Sequence, residues 1–194
     1  MGGLNIPTPS IIKAYETGDK RREASIGYYA NSANSNTFES FRGDSIPYIK
    51  KYYNPPYISL GWTNDNWPIY RYANVLLMLS EALNEVGRTA EAYNYINPVR
   101  VRAGLKELSG LSQSAFREAV YHEERVELAF ENKRWYDLLR TDQAIEVMTK
   151  HGIEERSRLA RVGSESFVID PHKLIFPIPA SEIRLNGFEQ NSGY

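Results

Sequence analysis

The chain has 194 residues, 42% of them hydrophobic and 24% charged, with a formal net charge of −1. That is enough for one domain with a real core; the balance excludes disorder and lacks the basic excess of a nucleic-acid binder. With no cysteine, disulfides, thiolate metal sites and cysteine nucleophiles are all excluded, and no apolar run approaches the ~18 residues of a membrane span. The first residues, MGGLN, have neither the charged start nor the apolar stretch of a signal peptide. Aromatic residues reach 12%, including 14 tyrosines, and their flat faces with polar edges suit both cores and sugar rings.

Taken in chain order, residues 1–68 lack long helical periodicity and are punctuated by Pro7, Pro9, Pro47, Pro55, Pro56 and Pro68 and by the run NSANSN. Only Ser10 to Thr17 predicts a short helix. SIGYYA (25–30) and SIPYIKKYY (45–53) read as strands or extended pieces. From Ile69 the pattern changes. Tyr70 to Val86 predicts a helix whose apolar side is Tyr72, Ala73, Leu76, Leu77, Leu79, Ser80, Leu83 and Val86. Gly87-Arg88 breaks it, Thr89 can cap a second helix running to about Ala103, and Gly104 ends that one. The pair resembles a tetratricopeptide unit, a hairpin of roughly 34 residues, with Leu76, Leu79, Ser80 and Leu83 facing Ala92, Ile96 and Val99. Pro98 removes one hydrogen bond inside the second helix and predicts a kink.

Ser112 or Ser114 starts a third helix ending near Glu131, and a fourth is expected from about Lys133 to Lys150, with Asn132 as the left-handed residue between them. Beyond Gly152 come a charged connection, strand-like FVI (167–169) and LIFPIP (174–179), a short helix or turn at 180–185, and the tail NGFEQNSGY. The expected fold class is therefore mainly α. Residues 1–68 are loop-rich and extended, 69–151 form four helices in two hairpins, and 152–194 form an extended tail with short strands.

The third helix poses the chemical question. Phe116, Val120, Glu123, Glu127 and Phe130 fall within roughly 40° of one direction, so two carboxylates sit in an oily stripe, which is costly unless they are paired. His122-Glu123 lacks the second histidine of a zincin motif, because residue 126 is Val126. Glu118 and His122 stand alone, without the second copy a di-iron bundle needs. There is no nucleophile elbow, Walker loop or dinucleotide fingerprint. Paired glycosidase carboxylates face each other across a cleft, not one turn apart on an interior face. Glu131 and Arg134 each lie on the unfavourable side of a helix dipole, which suggests that they pair with each other or with a third element. The expectation is a structural ion-pair network of Glu123, Arg125, Glu127, Glu131, Arg134, Asp137 and Arg140, with no catalytic residue, metal or cofactor.

The same stretch, HEERVELAFENKRWYDLLR, resembles the signature run of the SusD/RagB family, matching at Glu123, Arg125, Glu127–Glu131, Arg134, Trp135, Asp137, Leu138 and Arg140. Other segments agree in order: YETGDKRREASI (15–26), YIKKYY (48–53), IYRYANVLLMLSEALNEVG (69–87), INPVRVRAGL (96–105), LIFPIPASEI (174–183) and FEQNSGY (188–194). Glu124, Asn132 and Ser192 stand where the family usually has Arg, Gly and Pro, and Pro98 is also atypical. The resemblance implies a SusD-like helical protein of the outer-membrane surface, lipid-anchored through a portion absent from this chain. Such a protein captures a glycan or other nutrient without catalysis and delivers it to a SusC-like TonB-dependent transporter. On that basis the chain is expected to be the C-terminal scaffold part of a longer protein, partnered by its missing N-terminal part. Local ligand candidates lie in YISLGWTNDNWPIYR: Tyr57, Trp62 and Trp67 as stacking faces, Asn64 and Asp65 as hydroxyl partners. A plainer role for Trp67 and Tyr70 is to seal the first helix, and Trp135 is expected in the core. The alternative function is a tetratricopeptide-like docking module; a hydrolase using the acid pair ranks last.

Overall fold

The computed structural model describes residues 5–30, 45–55, 66–159 and 161–194. Pro9 suits a first helical turn, where its missing N–H is no loss, and it opens α1 (Pro9–Ala14). The helix is shorter than the predicted 10–17 because Tyr15 turns extended and packs with Ile26, Val126 and Ala129 in a small apolar cluster. A second short helix, α2 (Lys20–Ser25), has no apolar stripe to betray it; Asp19 caps it by accepting from the Arg21 amide. Strands β1 (Ile26–Ala30) and β2 (Ser45–Ile49) then pair antiparallel, Ile26 opposite Ile49 and Ala30 opposite Ser45. The Tyr48 ring lies against Gly27, where a Cβ would fall 2.3 Å from it and force the ring to shift.

Three longer helices follow: α3 (Tyr72–Glu85), α4 (Thr89–Arg102) and α5 (Gln113–Glu127). Their mutual contact encloses Ala73, Leu77, Leu83, Ala92, Ile96, Val99, Phe116 and Val120. The small residues expected to bring α3 and α4 together do so, and Ser80 also donates its hydroxyl to the Ala92 carbonyl at 3.0 Å. Thr89 does not cap α4. Its hydroxyl donates instead to Asn84 Oδ1 at 2.8 Å, tying the start of α4 to the end of α3. Pro98 lies inside α4.

The predicted apolar side of α3 is only partly inside. Ala73, Leu77, Ser80 and Leu83 are buried, whereas Tyr72 and Val86 are 77% and 70% exposed. Polar Asn74 and Asn84 are buried in their place; Asn84 reaches Gln113 of α5, donating to its carbonyl at 3.0 Å.

The chain divides into two compact units, Met1–Lys133 and Arg134–Tyr194. In the second, the predicted single helix is two, α6 (Arg134–Arg140) and α7 (Ala144–Arg158). Asp142 makes the break at φ 57°, and the Gln143 amide closes it on the Leu138 carbonyl; aspartate tolerates this left-handed region better than most side chains. Gly152 does not end the helix. It is buried inside α7, where a Cβ would come within 2.9 Å of Phe167, so it is a contact glycine and not a terminator. Trp135 is half-buried, not enclosed.

The expected C-terminal strands are absent among the described residues. Phe167 has φ 66°, Pro171–Leu174 is a 3-10 turn, and α8 (Ala180–Asn186) follows. Pro177 and Pro179 cannot donate to a ladder. Side chains of the tail take its place: the Gln190 amide brackets Ile178 N and O at 2.8 and 2.9 Å, Asn191 donates to Phe176 O, and Tyr194 to Ile175 O. Among the described residues no helix is long and apolar enough to cross a membrane.

Candidate functional site

Ser112 caps α5 by accepting from the Ala115 amide, and the stripe it starts carries Phe116, Val120, Glu123 and Glu127 inward, all buried. The helix stops at Glu127. Phe130 and Asn132, at φ 68° and 57°, form a turn that keeps Glu131 buried as well. These three glutamates are completely engaged. Glu123 takes Arg21 Nη1 on Oε1 and Arg100 Nη1 on Oε2, the latter at 2.9 Å. Glu127 takes Arg71 and Arg102 on Oε1 and Arg21, at 3.1 Å, on Oε2. Glu131 receives Arg71 Nε on both oxygens at 3.0 Å and Lys51 Nζ on Oε1 at 2.5 Å.

The electrostatics follow. Burial pushes the Glu127 carboxyl up, but bonds from Arg102 and Arg71 reverse this and hold it below its ordinary value. Burial likewise opposes the charge on Arg71, and bonds to Glu131 and Glu127 raise its pKa regardless. Lys51 is lowered, because burial outweighs Glu131; its ammonium also donates to the Glu127 and Ala129 carbonyls at 2.8 and 3.0 Å. Burial lowers His122 too, which favours the neutral imidazole.

Cations from other segments join these acids. Among the described residues, Arg21, Lys51, Arg71, Arg100 and Arg102 bond to the three glutamates, and none of them was named from the sequence. Arg125 donates to Ser10 Oγ at 2.8 Å. In the second unit, Asp137 pairs locally with Arg140 at 3.0 Å, and Asp137 Oδ2 is buried without a partner among the described residues. Glu131 is satisfied from other elements, through Arg71 and Lys51. Among the described residues no group of three or more His, Asp or Glu is placed to hold a metal ion.

Of the proposed ligand contacts, Tyr57, Trp62, Asn64 and Asp65 lie outside the described residues. Trp67 lies within them. It does not seal α3: it is 53% exposed, with Tyr52 stacked on it at a centroid distance of 5.0 Å and an interplanar angle of 25°. Tyr52 was not singled out from the sequence. Tyr70 is exposed as well, with the Lys133 ammonium 4.5 Å from its ring centroid.

The helical arrangement has counterparts among known proteins. A model of the SusD family matches residues 6–194. The chain belongs to the SusD family. It is similar to SusD-like protein P2 of Formosa agariphila, at 31% identity over 97% of this chain and 40% of that protein. SusD-like protein P25 of the same organism is 36% identical over 95% of the chain and 33% of its own length. Among solved structures, a SusD homologue from Bacteroides thetaiotaomicron superposes with a TM-score of 0.71 at 29% identity, over 92% of this chain and 41% of that one. Surface glycan-binding protein A from Bacteroides uniformis shares the fold, at 24% identity and a TM-score of 0.67 over 95% of this chain and 40% of that one. The chain thus spans two fifths or less of the curated relatives' length.

SusD-family membership makes the missed cations intelligible. Arg21 lies in YETGDKRREASI, Lys51 in YIKKYY, Arg71 in IYRYANV, and Arg100 and Arg102 in INPVRVRAGL. Each is a segment that carries the family resemblance, and each supplies a partner to the glutamates of the signature run. That pattern was the signal available for finding them.

Proposed function

We propose that the chain is the helical scaffold of a non-catalytic protein that binds a glycan at the outer-membrane surface and passes it to a SusC-like TonB-dependent transporter. Membership of the SusD family supports the binding role, and the full engagement of the acids supports its non-catalytic part. All six carboxylate oxygens of Glu123, Glu127 and Glu131 accept from arginine or lysine, so none is free to act as acid, base or nucleophile. The half-exposed Trp67 supports a ligand face in this segment, and Trp62, Tyr57, Asn64 and Asp65 stay in the same proposal on their sequence pattern.

Affinity electrophoresis in gels cast with neutral and acidic polysaccharides tests it. The expected result is retardation by at least one polysaccharide, whose chain length is unchanged after prolonged incubation. Release of reducing ends would overturn the non-catalytic reading, and mobility unchanged in every gel would overturn binding by this segment. A second reading is a tetratricopeptide-like module that docks on the transporter or on more of its own polypeptide. It is favoured by the outward apolar residues of α3: Tyr72, Val75, Leu79 and Val86.

A further inference from the structure

Asn186 is the sole asparagine in the sequence that glycine follows, and the pair sits at the end of α8. Asn186 is the last residue of that helix, and Gly187 turns left-handed at φ 66°. Both are exposed. Asparagine before glycine has an intrinsic reaction open to it. The main-chain nitrogen of the glycine, on losing its proton, attacks the carbonyl carbon of the asparagine side chain. Without a Cβ, glycine neither shields that nitrogen nor restricts the torsions the approach needs. The bond to the side-chain nitrogen breaks, ammonia leaves, and a succinimide remains. Water then opens the ring at either carbonyl, giving aspartate or, with the main chain rerouted through Cβ, isoaspartate.

Two hydrogen bonds hold the reaction back in the folded chain. The Gly187 amide donates to the Ile183 carbonyl at 2.8 Å, and Asn186 Nδ2 donates to Glu182 Oε2 at 3.0 Å. The helix that supplies them is weak. It has seven residues, none of them buried, and its N-cap makes no side-chain bond; so short a helix is marginal without packing to support it. When its last turn frays, the nitrogen and the carboxamide are both released. The nearby Asn191–Ser192 pair is better guarded. Asn191 is half-buried, its Nδ2 donates to the Phe176 carbonyl at 2.7 Å, and serine has a Cβ.

We propose that Asn186–Gly187 is a self-modification site through which the chain slackens its own C-terminal tail. Aspartate at 186 loses the donor to Glu182 and sets two carboxylates one turn apart at the negative end of the helix dipole. Isoaspartate also adds a methylene to the main chain, which takes the Gly187 amide off the Ile183 carbonyl. Only Gly187, Phe188 and Glu189 separate this point from the anchors of the tail: Gln190 on Ile178, Asn191 on Phe176 and Tyr194 on Ile175. Those anchors are side chains reaching particular main-chain groups, and Gly193 lies so close to His172 that a Cβ would fall 2.7 Å from it. A longer link with no fixed start holds them less firmly.

The test incubates the full chain in mildly alkaline buffer, with and without urea. Isoaspartate is followed by enzymatic carboxyl methylation and located by peptide mapping in a mass spectrometer. In the folded chain it should accumulate at 186 ahead of 191, several-fold more slowly than in urea. Glu182→Ala should speed the folded reaction and leave the rate in urea unchanged, and Asn186→Gln should abolish the signal at 186. In the isolated isoaspartyl form, amide exchange at Ile178 should be several-fold faster than in the unmodified chain, with exchange at Leu77 unaltered. A folded chain that stays intact at 186 while the urea sample converts would overturn the site. Equal rates in the two samples would overturn the restraint by α8. Unchanged protection of Ile178 after conversion would overturn the link to the tail.

Discussion

Glu127 shows how a charge can be kept in a core. Its side chain is 3% exposed, and it faces three guanidinium groups. Replacing it by glutamine keeps the shape but strands part of that positive charge, and removing one partner of a buried pair costs about 3–5 kcal/mol. The expected result for Glu127→Gln is a loss of that size in chemical denaturation. The pH dependence has a definite sign. The folded chain holds this carboxyl below its ordinary value of 4.5, so the unfolded chain binds the proton more tightly. The stabilisation is complete above about pH 4.5 and drains away as pH falls toward the folded value. Melting temperatures followed from about pH 6 to pH 3 should therefore fall more steeply in the parent than in Glu127→Gln; equal slopes would refute the assignment. The buried glutamates were legible in the sequence because periodicity places them on an oily stripe. Their partners were not: Arg21 lies 106 residues from Glu127, and a local pattern carries no information about contacts at that range.

At the scale of elements, stretches that bury a continuous stripe were readable, and the devices that stop or redirect the chain were not. Gly152 looks like a terminator, yet α7 runs through it because its missing side chain admits Phe167. Asp142 looks unremarkable and makes the real break. Glycine tolerates the left-handed region without a Cβ penalty, so Asp142→Gly should leave the chain as stable or raise its stability by up to about 1 kcal/mol, and Asp142→Val should lower it. An equal effect of the two substitutions in thermal melts would show that the backbone conformation at 142 is not what matters. The tail gives a second case. LIFPIP has the composition of a strand, but two of its residues are prolines, and Gln190 supplies from its side chain the donor and acceptor that a neighbouring strand would have offered to Ile178. Gln190→Leu leaves both groups of Ile178 without that partner. Amide exchange at Ile178 should accelerate strongly, with exchange at Leu77 and Ile96 unchanged; protection retained at Ile178 would mean the bracket is incidental.

At the scale of the molecule, α3 carries apolar side chains that stand exposed. Helix α3 has two apolar sides. One, with Ala73, Leu77 and Leu83, lies in the core. The other runs Tyr72, Val75, Leu79, Ala82 and Val86, a three-four-three-four spacing that forms a single stripe along a helix. All five are exposed, Tyr72 and Val86 at 77% and 70%. Exposed stripes of this kind mark interaction surfaces or association. By itself, therefore, the chain should bind a hydrophobic dye and sediment as a concentration-dependent mixture. Val75→Lys combined with Leu79→Lys breaks the stripe at its middle without touching Leu77 or Leu83. The expected outcome is weaker dye binding and a monomeric boundary, with the melting temperature held or raised because no buried contact is lost. A pronounced drop in melting temperature would place these residues in the chain's own core. Unchanged dye binding at full stability would move the exposed surface elsewhere.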